Sequence, residues 1–517
     1  SKTEYDWVNY PSTTGVTIKR KTDFNYFVTV PNASAYPVTN DVNAYWNPHN
    51  TAIWPTGTAR RLNSVQRRKV SIDSTAYAAT EYSYDYPYSK GNVIAEKRWD
   101  SVKSPSLPGL GQLSGSNSQV LSRGYDSYGN LTDIYEPEVR THITYDAAGN
   151  VVTRVDQGYG TSAQRSLQYN WLNGIAMEWK KDLDNNLTTS YTYDNVGRQL
   201  TMTEGGLRRT VTNYDDSNRK VTVTGDLRSY MDEMLQTVTH YDQLGRVKLG
   251  QKSDGAPLNG DADGIKAITN YIYFSGGRWV VASTPYRTSA DSTLEWTCTQ
   301  YDVLGRVSLV AMFKGSAAPT DCTSTTNRTG VTTTQYDSEW TTVIQDTEPS
   351  ADKISKHKRD GLGRLVQVIE DPTGYNSPAL NYSTAYTYDP LDNLTQVTQG
   401  VQTRAFVYSS LSRLRSATNP ESGTVTYTYN DSGDLLSRTD ARGKVSSMAY
   451  DPLHRISTKN YSDSTPAVTY EYHLAGSSSS PDIGQLKSVS SSVAATSVAA
   501  TVYGYGQLGN VTASSPT

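Results

Sequence analysis

Long hydrophobic runs are missing from this 517-residue chain. The longest apolar stretches, such as Trp279 to Ala282 and Leu309 to Phe313, span a few residues. That is far short of the ~20 needed for a membrane-crossing helix. An excess of either charge is missing too: 48 Lys and Arg face 51 Asp and Glu, for a formal charge of −3. No basic field is available to hold a phosphate backbone, which argues against nucleic acid as a partner. Phenylalanine (5), methionine (6) and histidine (6) are scarce. Only two cysteines occur, Cys298 and Cys322, neither in a Cys-x-x-Cys pair nor beside a histidine, so zinc and redox chemistry have little support. A disulfide closing the loop between them and two unpaired buried thiols both stay open. A Gly-x-Ser-x-Gly elbow, a P-loop and a His-Glu-x-x-His helix are all absent.

What the sequence has is tyrosine, 39 of them, with 38 glycines and abundant Thr, Ser and Val. This composition favours short strands joined by tight turns. Eleven Tyr-Asp dipeptides occur where shuffling would give roughly three, which signals a repeat. The fullest copies centre on Tyr125-Asp126-x-x-Gly129, Tyr145-Asp146-x-x-Gly149, Tyr193-Asp194-x-x-Gly197, Tyr241-Asp242-x-x-Gly245 and Tyr301-Asp302-x-x-Gly305, followed by Arg or Asn and then an aliphatic residue.

In Asp-x-x-Gly the carboxylate suits the first position of a type I turn, and the fourth position wants the positive φ that glycine adopts without strain. The unit is therefore a hairpin loop with a bulge. Tyrosines two apart, such as Tyr191 and Tyr193, project from one strand face. Copies recur about every 20 residues, room for two strands and two turns. One hairpin cannot bury a face alone, so successive hairpins must pair into a long twisted sheet. The expected fold is all-β: an array of such hairpins forming a long spiralling antiparallel sheet, a hollow shell or part of one. Residues 1–120 read as an irregular Tyr- and Trp-rich β region or cap, and 121–517 as the repeat array, incomplete at its C-terminal end. The chain reads as a trimmed piece of something larger.

Some copies are worn: Arg359 replaces the tyrosine before Asp360, Ser409 and Ser412 stand for Asp and Gly, and His454 stands for Gly. Their turns are expected to differ. The stretches Gly250–Gly264 and Ala311–Gly330 are expected to be marginal loops. Arginines such as Arg246 and Arg306 are placed to pair with turn aspartates of adjacent units, which contributes little at an exposed surface. Weak oxygen-ligand candidates for a cation are Asp254, Asp261 and Asp263; the preferred reading has no metal and no cofactor. Gly504-x-Gly506-x-x-Gly509 matches a dinucleotide fingerprint but falls in a repeat turn with no βαβ unit around it. The histidines, including His240 and His454, read as structural.

Tyr-Asp-x-x-Gly-[Arg/Asn]-[Leu/Val] at this spacing resembles the YD repeats of bacterial Rhs proteins, insecticidal toxin-complex components and teneurins. The stretch from Asn419 through Tyr429 to Asp440, Gly443 and Tyr450-Asp451 resembles a bacterial Rhs core in particular. The resemblance implies a sheet that spirals into a cocoon around a C-terminal toxin, released by a self-cleaving Asp-Pro-x-Gly-Leu segment. The nearest match, Asp371-Pro372-Thr373-Gly374-Tyr375, lies mid-array and ends in Tyr, which argues against cleavage there. The resulting expectation is a non-enzymatic, secreted or cell-surface scaffold that encloses or presents a polypeptide cargo, with neighbouring segments of a larger protein as partners. The alternative is an adhesin or filament protein that self-assembles through sheet edges or binds glycans through exposed Tyr and Trp. No nucleic acid and no membrane span are expected.

Overall fold

The computed structural model describes residues 2–5, 18–26, 65–72, 75–84, 92–227, 229–253, 265–288, 290–346, 352–375, 378–474, 482–493, 496–506, 508 and 510–516. The cation candidates Asp254, Asp261 and Asp263 lie outside the described residues.

The described residues form one antiparallel sheet of 37 strands, from β1 (Lys2–Tyr5) to β37 (Val511–Pro516). Each strand pairs with the next in the chain, for instance β1 with β2 (Ile18–Tyr26) and β36 (Thr496–Tyr505) with β37. The topology is thus a continuous meander, the outcome expected when every unit is a hairpin and every neighbour in sequence is a neighbour in space. The strands before residue 121 join the same sheet, with β5 (Val93–Trp99) paired to β6 (Ser118–Tyr125). No described helix is long and apolar enough to cross a membrane.

A thick core is missing from most of this sheet, and only seventeen apolar residues are buried among those described. The densest cluster sits on β19 (Trp279–Ser283), β20 (Glu295–Tyr301) and β21 (Val307–Lys314), where Val281, Leu294, Trp296, Cys298, Ala311, Phe313 and Cys322 pack together. Cys298 and Cys322 are joined as a disulfide, Cα to Cα 5.2 Å, both fully buried. The loop expected from Ala311 begins only at Gly315, because Ala311 and Phe313 belong to the cluster and stay in strand β21.

The meander coils back on itself. The loop between β5 and β6 meets the turn between β28 (Gln402–Tyr408) and β29 (Leu414–Asn419): Ser101 N–H donates to Ser410 Oγ at 2.8 Å, and Ser410 N–H donates to Ser101 Oγ at 2.9 Å. The loop between β7 (Leu131–Tyr135) and β8 (Arg140–Tyr145) meets the turn between β30 (Gly423–Tyr429) and β31 (Leu435–Thr439). There Asn430 Nδ2 donates to Glu138 at 2.7 Å. At the loop between β9 (Val152–Gln157) and β10 (Arg165–Leu172), Leu453 from the turn between β32 (Val445–Tyr450) and β33 (Ile456–Tyr461) lies so close to Gly158 that an added Cβ would sit 2.9 Å from it. The turn between β11 (Ala176–Asp182) and β12 (Leu187–Tyr193) meets the loop between β34 (Ala467–Tyr472) and β35 (Leu486–Val493). Ile483 N–H donates to Asn185 at 3.0 Å and the Asn185 amide donates back to Ile483 O at 3.1 Å.

In all four places the upper element lies 23 strands after the lower one. One revolution therefore takes 23 strands. At ~4.8 Å per strand this is a circumference of about 110 Å and a diameter of about 35 Å, several times the ~10 Å at which two sheet faces pack.

Candidate functional site

The site is the row of YD turns and the seam they make. In the turn after β6, Asp126 Oδ1 accepts N–H groups from Tyr128 (2.8 Å) and Asn130 (2.9 Å), and Gly129 N–H donates to Asp126 O (3.1 Å). Gly129 has φ +91°. Asp194, Asp242 and Asp302 accept from the corresponding N–H groups, 2.8 to 3.0 Å away, with Gly197, Gly245 and Gly305 all at positive φ. The Asp146 turn is one residue longer, since Asp146 N–H reaches Val151 O, with Gly149 at φ +71°. At each motif tyrosine, Tyr125, Tyr145, Tyr193, Tyr241 and Tyr301, the strand register slips by one residue, which makes the bulge.

The degraded copies depart from expectation by keeping the same backbone. Ser412 (φ +57°) and His454 (φ +61°) take the left-handed position, and their N–H groups donate to Ser409 O and Asp451 O at 2.9 Å. A side chain there costs ~1–2 kcal/mol, and the flanking ladder and seam contacts hold the conformation.

Two contacts between neighbouring repeats escaped the sequence reading. The first is made by the tyrosine hydroxyl, which donates to the carbonyl of the aliphatic residue closing the preceding turn. Tyr145 reaches Leu131 (3.2 Å), Tyr273 reaches Val247 (2.9 Å), Tyr336 reaches Val307 (2.9 Å), Tyr388 reaches Leu365 (2.8 Å), and Tyr450 reaches Leu435 (3.0 Å). Burial raises the Tyr145, Tyr273, Tyr388 and Tyr450 hydroxyls above the ordinary phenol range.

The second is made by arginine. Arg246 and Arg306 pair with their own turn aspartates, Asp242 and Asp302, at 2.7 Å, instead of those of adjacent units. Each guanidinium then stacks on the next motif ring, Arg246 on Tyr273 at 4.1 Å and Arg306 on Tyr336 at 4.0 Å. Arg198 does both: it pairs with Asp194 at 2.7 Å and with Asp216 of the next unit at 2.8 Å. The backbone N–H of Arg246, and then its guanidinium, hold the Asp242 carboxyl below the usual range against desolvation; Arg306 does the same for Asp302. The signal for this was present in the sequence, because Arg follows Gly and precedes the aliphatic residue whose carbonyl the next tyrosine takes.

At the seam, the third residue of the four-residue turn becomes an anchor. Leu391 and Leu411 face Val70, Ala78 and Ala79 across a shared cavity, and all of Leu391, Leu411 and Leu453 are half-buried. Polar clasps flank them: Lys103 to Asp431 at 2.7 Å and Arg20 to Asp392 at 2.7 Å. Glu138, Asp434 and His454 bring ligand-type atoms within 4.8 Å of one another here, with His454 Nδ1 2.8 Å from Asp434. Among the described residues they are the three that could hold a metal ion together.

A protein-family model described as RHS Repeat matches residues 408–443 and 429–466, a span that includes the seam turns of Leu411, Asp431 and Leu453. No curated protein matches the chain by sequence. Solved structures do match by fold. A crystal structure of TcdB2-TccC3-Cdc42 aligns with TM-score 0.62 at 10% identity over 88% of this chain and 33% of its own. The Tc holotoxin pore of Photorhabdus luminescens aligns with TM-score 0.58 at 10% identity over 86% of this chain and 32% of its own. This chain spans about a third of the chains it matches.

Proposed function

We propose that this chain, whose residues 408–443 and 429–466 match the RHS Repeat model, forms a structural wall that encloses a polypeptide cargo, acting as a non-enzymatic container within a larger protein. The observation that carries the reading is the seam at a constant 23-strand offset. A sheet that rejoins itself edge to edge is a wall, and a wall about 35 Å across cannot fill its own interior with side chains. An unfolded polypeptide fits such a space better than a small substrate does. The turn aspartates act as fixed acceptors of backbone N–H groups and arginine, which is an architectural use of a carboxylate. The buried Cys298–Cys322 pair suits an exported protein. The rival glycan-binding reading requires open ring faces, whereas several motif tyrosines carry an arginine on one face and donate their hydroxyls to neighbouring repeats.

The test is protease protection of an unfolded reporter segment fused after Thr517. Enclosure predicts cleavage at least tenfold slower than for the free reporter, and density inside the coil in cryo-electron micrographs. Cleavage at the free rate, with an empty coil, would remove the container reading and leave the wall.

A further inference from the structure

The seam also holds a cavity of about 370 Å³ whose walls come from both revolutions. Strands β3 (Val65–Ile72), β4 (Thr75–Tyr84), β5 and β6 form one side; the turns carrying Leu391, Ser412 and Ser432 form the other. Three arginines line it, Arg68, Arg98 and Arg413, and no carboxylate side chain does. Arg98 uses its Nε on Glu96 at 2.8 Å. The two Nη groups of Arg413 donate to Asn430 O and Asp431 O at 2.7 and 2.8 Å, so its charge stays uncompensated. Arg68 has no hydrogen bond or ion pair among the described residues. Ser432 Oγ is buried with no hydrogen-bond partner among them. Burying a hydroxyl unpaired costs about 1–3 kcal/mol, and the positive charges of Arg68 and Arg413, which line one cavity with no carboxylate partner among the described residues, disfavour one another.

We propose that this cavity is a binding site for a small phosphate-bearing anion of the size of pyrophosphate or a sugar phosphate. Guanidinium groups match phosphate oxygens, the Arg68 guanidinium at the cavity wall is left without a partner among the described residues, and the volume falls in the range of small-ligand pockets. The walls belong to two revolutions, so the anion binds the closed seam and stabilises it by mass action. This inference stands independently of whether the coil encloses cargo.

The experiment is isothermal titration calorimetry of the full chain with pyrophosphate and with inorganic phosphate, in sodium chloride matched for ionic strength. The expected result is saturable binding with one site per chain, weakened tenfold or more in Arg68→Gln. Arg442→Gln, at an exposed arginine in a turn away from the cavity, keeps the wild-type affinity. Arg68 has no partner to lose, so Arg68→Gln keeps the wild-type melting temperature without ligand. Absence of saturable heat, an affinity that Arg68→Gln leaves unchanged, or an equal loss in Arg442→Gln overturns the proposal.

Discussion

The same turn position has two fates in the two revolutions of the sheet. In the first revolution Tyr128, Val196, Leu244 and Leu304 stand in solvent, Leu244 and Leu304 at 75% and 73% exposure. In the second, Leu391, Leu411 and Leu453 are half-buried against the loops of the first. The two sets share one turn backbone, closed by Gly in the first revolution and by Asp392, Ser412 and His454 in the second, all at positive φ. These turns therefore share one local structure, and their position along the coil decides whether an apolar turn residue is a contact or lies on the surface. Within a repeat the bonds are near neighbours in sequence; across the seam they span about 300 residues, as in Ser101 to Ser410 with a separation of 309.

The sharpest way to break this comparison is to place a charge at the shared position. Leu411→Asp and Leu453→Asp push a carboxylate into a half-buried joint, expected to cost about 2–3 kcal/mol. Leu244→Asp and Leu304→Asp are expected to stay within about 0.5 kcal/mol of the parent. Urea midpoints give the size of the loss, and amide exchange gives its place: protection falls in residues 158–164 and 451–455 and is unchanged around 302–306. Equal losses at Leu304 and Leu453 would show that the seam is no joint.

A second measurement should find no difference between revolutions. The tyrosine hydroxyl bond is internal to neighbouring repeats, so Tyr193→Phe in the first revolution and Tyr450→Phe in the second each lose one hydrogen bond. The expected cost is about 1 kcal/mol in both, read from urea midpoints. A cost at Tyr450 well above that at Tyr193 would mean that the seam acts through the ladder.

These two cases mark what the sequence makes legible. The strand-turn period, the Asp-x-x-Gly geometry and the all-β spiral follow from local rules, because each is satisfied within about 20 residues. The ladder was half-legible: tyrosine, arginine and the aliphatic residue recur together, but which repeat each one touches depends on strand stagger, which bulges at tyrosines such as Tyr145 and Tyr241 help to set. The seam was illegible, because the residues around Leu453, with His454 where Leu304 is followed by Gly305, do not say what the turn will meet; that depends on the number of strands per revolution, which follows from accumulated twist. Ser412 and His454 misled for a related reason: judged alone they forbid the turn, whereas the sheet on both sides imposes it.

A smaller effect is expected from the arginine stack. Arg306→Lys keeps the charge beside Asp302 and loses the flat face over Tyr336 and the fork geometry. A loss of about 0.5 kcal/mol follows, and Arg455→Lys, over Tyr472 at 4.0 Å, should match it. A value near zero in both, measured by urea midpoint, would assign Arg a purely ionic role at its turn.

The gentlest perturbation is acid, and it separates turns from seam. The Asp215 carboxyl is held at about 2 by the side chains of Asn218 and Ser217 and the Asn218 N–H. Asp242 and Asp302 are held low by arginine and backbone donors. In the unfolded chain these groups titrate near 3.9. A depressed folded value means that the unfolded state binds protons first, so the stabilisation is complete above about pH 4 and is lost as pH falls toward about 2. The urea midpoint should therefore be level from pH 7 to about 5 and decline below 4. Asp215→Asn keeps an oxygen acceptor and removes the titration, so it should start slightly lower at pH 7 and decline less steeply. Since Leu411 and Leu453 carry no proton, Leu453→Asp should show the parent's acid slope shifted down at neutral pH and partly recovered as its own carboxyl protonates. A parent midpoint indifferent to pH between 4 and 2 would separate the turn carboxylates from stability altogether.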